Sequence, residues 1–350
     1  MSHTLNEILT QPQAWREAVT QTLDGPGEWV APLRQAEEVV FTGCGSTYHL
    51  SVAAAALFRQ VAGVAARAVP GGELALNPDL YLPRGRATLV AVSRSGATDE
   101  TLEAVARFRE HHPRGFVLAI TTQGEQPLSQ RSDAAIVLPA AREVSVVQTR
   151  SFAAMYVAAV GVAVRVADRT DLAATLHALS DVGPNLIERA QHQVPRWKAV
   201  TARGPVFFLG SGFYFGLAAE LSLKMKEMSL TFSEAYPFLE FRHGPMSLVE
   251  PGTVVVGLVS RSHARHQRAV LEEMAALGAH IVTVEPAPGR GMRFALPGGL
   301  PDEVRGVLYL PPLQLLAYHR AVAKGLNPDR PRHLNAVVHL NLNPGMAGEV

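Results

Sequence analysis

One spacing limits what this chain can fold into more than any other feature. Phe41–Tyr48 reads FTGCGSTY and Phe208–Phe215 reads FLGSGFYF, so Gly43 and Gly45 return as Gly210 and Gly212, 167 residues later. Ser93, Arg94 and Ser95 return at the same distance, as Ser260, Arg261 and Ser262. Two separated motifs that keep one offset with no insertion between them mark two copies of one folding unit. A chain of 350 residues is long enough to give each copy its own core.

Each copy alternates strands and helices. In the first, EEVVFTG, ATLVAVS, FVLAITT and AAIVLPA read as strands, and HLSVAAAALFRQVAG and TDETLEAVARFREH as helices. In the second, the expected strands are GPVFFLG, TVVVGLVS, AHIVTVE and GVLYLPP, and GFYFGLAAELSLKMKEMSL is a helix. Apolar strands alternating with helices predict an α/β protein of two tandem doubly wound parallel sheets, covered on both faces. The expected organisation is a helical N-terminal arm over 1–30, a first domain over 31–170 and a helical linker over 171–195. A second domain over 196–340 and a tail over 341–350 complete it. Ligands on such sheets bind beyond the C-terminal strand ends, where both GxG turns and both SRS turns fall.

Composition narrows the partners. Net charge is +1, with 18% charged and 47% hydrophobic residues and no basic run, which argues against nucleic acid or a membrane surface as partner. The N-terminus lacks the basic and apolar regions of a signal peptide, and no run is apolar enough for a transmembrane helix. Cys44 is the single cysteine, so no intrachain disulfide or thiolate metal cluster forms, and a cytoplasmic setting is expected. No His/Asp/Glu spacing suggests a metal, and no cofactor is called for.

Two clusters carry chemistry. Ser93-Arg94-Ser95-Gly96-Ala97-Thr98 closes a strand and opens a helix, gathering three hydroxyls, free backbone N–H groups and the positive end of a helix dipole. Gly96 allows close backbone approach. The site suits a phosphate monoester, with Thr47 adding a hydroxyl from the neighbouring strand end; the plainer reading is that Ser93 and Thr98 only cap a helix. The second SRS turn continues His263-Ala264-Arg265, without the glycine or threonine, and is expected to have kept the fold and lost the phosphate. In the second cluster, Glu220, Lys224 and Glu227 share one helix face. A lysine between two carboxylates is expected to keep both ionised, and a carboxylate there can move a proton between C1 and C2 of a sugar. The plainer reading is a surface ion-pair ladder. His243, before the Gly244-Pro245 helix stop, suits proton transfer to a ring oxygen.

With GCGSTY, SRSGATDET, EVSVVQTRSF, ELSLKMKE, EFRHGP, PLQLLAYHRAVAKG and NPDRPRHLN in order, the chain resembles the tandem sugar isomerase (SIS) family. Its best-known member is the isomerase half of glutamine–fructose-6-phosphate aminotransferase. The resemblance implies flavodoxin-like domains and no cofactor. It places Thr47, Ser93, Arg94, Ser95 and Thr98 at the sugar phosphate, and Ser46, Val146, Gln148, Glu220 and Asn335 around the sugar. It makes Glu227 the base between C1 and C2, Lys224 its support, and His243 the ring opener reaching across a homodimer. Arg94 stands where the aminotransferase has glutamine, Ala97 for a glutamate, Gln148 for a serine and Ala336 for its C-terminal lysine. Ser2 replaces the glutaminase cysteine, so release of ammonia from glutamine is not expected. An amino-sugar-phosphate deaminase is the leading expectation. A ketose/aldose isomerase on a neutral sugar phosphate and a non-catalytic phosphosugar sensor are the alternatives.

Overall fold

The structure, a computed structural model, describes residues 2–287 and 292–335; Ala336 and the 341–350 tail lie outside them. In the first copy, strands β1 (Glu38–Gly43), β2 (Ala65–Pro70), β3 (Ala87–Ser93), β4 (Phe116–Thr121) and β5 (Ala134–Val137) lie in the order β2-β1-β3-β4-β5. In the second, β6 (Val206–Leu209), β7 (Ser233–Tyr236), β8 (Val254–Leu258), β9 (His280–Glu285) and β10 (Met292–Ala295) lie in the order β10-β9-β8-β6-β7. Numbered within each copy, the two orders are the same, and every pairing is parallel. The central strands are apolar on both sides because helices cover both faces; Val39 and Val90 on one face and Val40 and Leu89 on the other are fully buried.

The repeat holds through three strands and then slips. Shifted by the motif offset, β1, β2 and β3 start within a residue of β6, β7 and β8. Phe116 and Ala134 map to Thr283 and Pro301, whereas β9 and β10 start earlier, at His280 and Met292. The expected strand GVLYLPP is helical. Gly306–Tyr309 forms a 3-10 turn, and Leu310–Ala323 an α-helix with Pro311 and Pro312 in its first turn, where the missing N–H groups need no partner. That helix is buried nearly all round, so its sequence shows an apolar run and no helical stripe, a pattern that does not separate a buried strand from a buried helix. Met292–Ala295 supplies the fifth strand instead. Edge strands β2 and β7 are only partly buried, which gave AARAVP and SEAY no apolar pattern to read.

The N-terminal helices His3–Leu9 and Gln11–Val19 are folded into the body of the molecule. The second lies along helix Arg150–Val166, and Trp15 is completely buried. Arg165 fastens the following turn, donating to the carbonyls of Thr22 and Gly25, both at 2.8 Å. Helices Ser46–Ala62 and Tyr214–Ser229, which follow the first strand of each copy, pack on one another. At their crossing a Cβ on Gly216 would stand 2.6 Å from the His49 carbonyl and would also strike the Ala53 N–H, so only glycine fits. One apolar cluster therefore runs through both copies, and the two strand-end regions meet across this helix pair. Among the described residues no helix is long and apolar enough to cross a membrane.

Candidate active site

Strands β1 and β3 are neighbours in the sheet but not in the chain, and their connections diverge there, the point at which open parallel sheets take ligands. The GCGST turn leaves β1 and the SRSGAT turn leaves β3. Gly96 has φ +65°, and a Cβ there would lie 2.8 Å from Gln126 Cβ. Ser93 Oγ accepts the Gly96 N–H at 3.1 Å, and Ser95 Oγ the Ala97 N–H at 3.2 Å. Both hydroxyls stand 3.4 Å from Thr98 Oγ1. Thr98 occupies the N-cap position of helix Asp99–His111, yet its side chain caps no backbone N–H. A threonine kept for capping would bond into the first turn; this one faces the two serines. Thr47 is placed differently: its hydroxyl donates to the Cys44 carbonyl and accepts the Cys44 N–H, both at 2.9 Å, and so shapes its own turn. Ser46 is the residue of that turn that reaches the other copy.

The charged row on helix Tyr214–Ser229 is buried, which removes the surface-ladder reading. Lys224 and Glu220 have 1% and 0% of their side chains exposed, and Glu227 has 16%. Lys224 Nζ donates to Ser46 Oγ at 3.0 Å, ion-pairs with Glu220 Oε1 at 3.3 Å and bonds directly to Glu227. One ammonium thus ties the first copy's glycine turn to the second copy's helix. Neither Glu220 oxygen has a donor in hydrogen-bonding geometry. Burial pushes its pKa up to about 8, although Lys224 draws it down. The expectation that the lysine keeps both carboxylates ionised fails for Glu220, because loss of solvation outweighs one cation at this depth. Burial also opposes the charge on Lys224, but the two carboxylates together hold its pKa above the ordinary lysine value.

His49, one turn beyond Ser46, was not singled out from the sequence. Burial, with the charges of Lys224 and Lys226, pushes it down to about 4 and keeps the imidazole neutral. Nothing but its place after GCGSTY could have pointed to it.

The 143–149 loop bounds the cradle, and the side chain of Arg94 holds it there. Arg94 Nη1 donates to the carbonyls of Ser145 at 3.1 Å and Val146 at 2.9 Å, and lies 3.7 Å from Glu143. Glu143 in turn accepts the Thr149 N–H at 2.8 Å. Glu7, from the first N-terminal helix, accepts the Val144 N–H at 2.7 Å and the Ser145 N–H at 3.2 Å, and also bonds the Ser145 hydroxyl. Burial raises the Glu7 pKa, and Glu143 adds to the rise. Sequence reading missed Glu7 and Glu143, since each is a lone acid until the fold brings it to this loop. Val146 and Gln148 are half-buried, and the Gln148 amide oxygen is enclosed without a donor. His243 and Asn335 are exposed. Among the described residues no hydrogen bond or ion pair joins the His243 ring to the Lys224 row or the cradle.

The second SRS turn is built and filled. Asp302 places its carboxylate there, Oδ1 accepting the Arg261 N–H at 3.0 Å and Oδ2 the Ser262 N–H and hydroxyl, both at 3.1 Å. Ser260 turns inward to Gln267 Oε1, donating its N–H at 2.8 Å and its hydroxyl at 3.2 Å. A cavity of about 1100 Å³ opens beside this turn, lined by Phe213, His263, His266 and Glu303 among others.

Two tandem parallel sheets whose strand-end turns meet across one helix pair define a duplicated α/β protein with a composite crevice. The SIS domain pattern matches residues 32–165 and 201–286, and the chain belongs to the SIS domain family. Glutamine–fructose-6-phosphate aminotransferase of Aeropyrum pernix is 30% identical over 363 residues, covering 95% of this chain and 56% of that protein. That of Pyrobaculum aerophilum is 31% identical over 348 residues, covering 95% and 57%. The chain thus spans little more than half the length of these curated relatives. Among solved structures, glucosamine-6-phosphate deaminase from Thermotoga maritima matches with a TM-score of 0.83 at 29% identity, over 97% of this chain and 100% of that one. Tagatose-6-phosphate ketose/aldose isomerase from Escherichia coli matches with a TM-score of 0.84 at 25% identity, over 94% of each.

Proposed function

We propose that the chain is a sugar-phosphate isomerase of the SIS family that acts on an amino-sugar 6-phosphate, converting glucosamine 6-phosphate and water to fructose 6-phosphate and ammonia. The observation that supports this reading is the buried Lys224 row, which carries the partly open carboxylate Glu227 and reaches Ser46 in the turn after β1, the strand beside the one that ends in the three-hydroxyl cradle. Ser93, Ser95 and Thr98 hold the phosphate, with backbone N–H groups at the helix start. His243, from a second copy of the chain in a homodimer, assists ring opening. Glu227 takes the proton from C2 of the open-chain aldehyde as O1 gains one, giving an enolamine, and the proton returns at C1 as one leaves the nitrogen. The resulting C2 imine adds water and releases ammonia, leaving the ketose. Lys224 holds Glu227 in place through a direct ion pair, and Glu220, its pKa raised by burial, closes the inner end of the row. Gln148 and Asn335 face the sugar. The match to the Thermotoga maritima deaminase, which spans that whole chain, favours this substrate class.

The test follows ammonia and fructose 6-phosphate together during incubation with glucosamine 6-phosphate. Equal amounts of both support the reading, and Glu227→Gln is then expected to lower turnover by at least ~10³-fold while the sugar still binds. Sugar interconversion without ammonia would instead point to the second reading, a ketose/aldose isomerase on a neutral sugar phosphate, which the Escherichia coli structural match favours. Binding without turnover of either kind would leave a sensor.

A further inference from the structure

The two SRS turns present comparable donors at comparable strand ends, and at the second an acidic side chain takes the backbone N–H groups. At the second, two successive backbone N–H groups and one hydroxyl converge on the two oxygens of Asp302. This is the donor set that an SRS turn offers an anion, and a carboxylate is an anion. We infer that Asp302 is the built-in ligand of the second turn and the residue that decides which of the duplicated turns takes a phosphate. The carboxylate comes from helix Asp302–Arg305, at the entry to the buried helix Leu310–Ala323, and its position is fixed from behind. Arg305, completely buried, donates to Asp302 Oδ1 at 2.7 Å, and Tyr214 donates to the Asp302 carbonyl at 3.0 Å. A phosphate entering the second turn would meet a fixed negative charge within hydrogen-bond distance of the same donors. The sequence change from Gly-Ala-Thr to His-Ala-Arg is therefore not what closes the site; an intramolecular anion closes it. The 1100 Å³ cavity beside the turn then has its anion position taken from inside the chain. This holds whichever sugar the first turn accepts.

Titration calorimetry with inorganic phosphate on the full chain tests the inference, with Ser95→Ala/Thr98→Ala as the parent so that the first turn does not contribute. Adding Asp302→Ala is expected to add one equivalent of phosphate per chain. It is also expected to raise the melting temperature by about 3 °C in millimolar phosphate, relative to the same variant without phosphate. The reading is by increment, so phosphate held elsewhere on the parent, which would count against the cradle, leaves this result interpretable. A folded Asp302→Ala variant with no added equivalent overturns the inference. Because Asp302→Ala strands the buried Arg305, Asp302→Ala/Arg305→Met is the second variant, removing both charges. A third measurement needs neither: Ser260→Ala/Ser262→Ala in the otherwise natural chain is expected to leave phosphate uptake unchanged. Loss of an equivalent there would show an open second turn and would equally overturn the inference.

Discussion

The two copies have exchanged duties. Shifted by the repeat, Glu220, Lys224 and Glu227 fall on Ala53, Leu57 and Gln60, so the first copy's helix has no ionisable side chain where the second has three. The strand-end turns reverse this: the first keeps its hydroxyls facing one another, and the second has given its donors to Asp302. Neither copy holds both halves of a site. The halves meet because the two helices cross at Gly216, which brings Lys224 to Ser46. A duplicated fold offers two strand-end regions, and in the function proposed here the two contribute complementary halves of one site, with the buried lysine as the joint.

The sharpest way to break the comparison is to remove hydroxyls from each turn in turn. Ser95→Ala/Thr98→Ala is expected to weaken phosphosugar binding by about 2–4 kcal/mol, from loss of charge-assisted hydrogen bonds, with little change in stability. Ser260→Ala/Ser262→Ala is expected to do the opposite, costing about 2 kcal/mol of stability through the Asp302 and Gln267 bonds and leaving affinity unchanged. Calorimetric binding and denaturant unfolding of both variants check the crossed pattern. Equal losses of affinity would mean that the turns are equivalent.

The charged row gives a second contrast, read in pH. Glu220 has a folded pKa of about 8 against 4.5 for the ordinary carboxyl. Between those values the unfolded chain has released a proton that the folded chain keeps, so this group makes stability fall as pH rises through the window. Glu220→Gln removes the dependence. The variant is expected to gain on the natural chain with rising pH, by on the order of 2–3 kcal/mol at pH 7. Ala53, at the corresponding position, contributes nothing of this kind. Urea unfolding midpoints at pH 5 and pH 7.5 measure it, and a pH-independent difference would show that Lys224 keeps Glu220 ionised after all.

Much of this division was legible in the sequence, because it follows from short-range chemistry. The paired glycine turns, the SRS repeat and the spacing of Glu220, Lys224 and Glu227 fixed the strand ends, the cradle and the charged face. What escaped depends on contacts between distant segments. Asp302 reads as an ordinary helix-start acid, and only the return of the chain to β8 makes it a ligand of Ser262. The burial that raises the Glu220 pKa comes from the elements of both copies packed on helix Tyr214–Ser229, which no spacing in 220–227 records. GVLYLPP misled because full burial erases the periodicity that separates helix from strand.

Arg94 and Arg261, the middle residues of the two turns, give the smallest contrast and the cleanest control. Arg94 is 8% exposed and holds the Ser145 and Val146 carbonyls beside Glu143, whereas the Arg261 side chain is exposed. The resemblance places Arg94 at the sugar phosphate; the structure gives its guanidinium the task of tying the turn to the 143–149 loop. Arg94→Ala leaves two carbonyls short of a donor and Glu143 short of a cation, and is expected to cost about 2 kcal/mol. Arg94→Lys should recover only part, since one ammonium does not reproduce the guanidinium fork. Arg261→Ala is expected to stay within about 0.5 kcal/mol of the parent. If the loop is what Arg94 positions, its alanine variant also loses sugar affinity while inorganic phosphate binds as before. Equal loss for both ligands would instead place the damage in the cradle itself, and the guanidinium would then be shaping the turn that holds the phosphate.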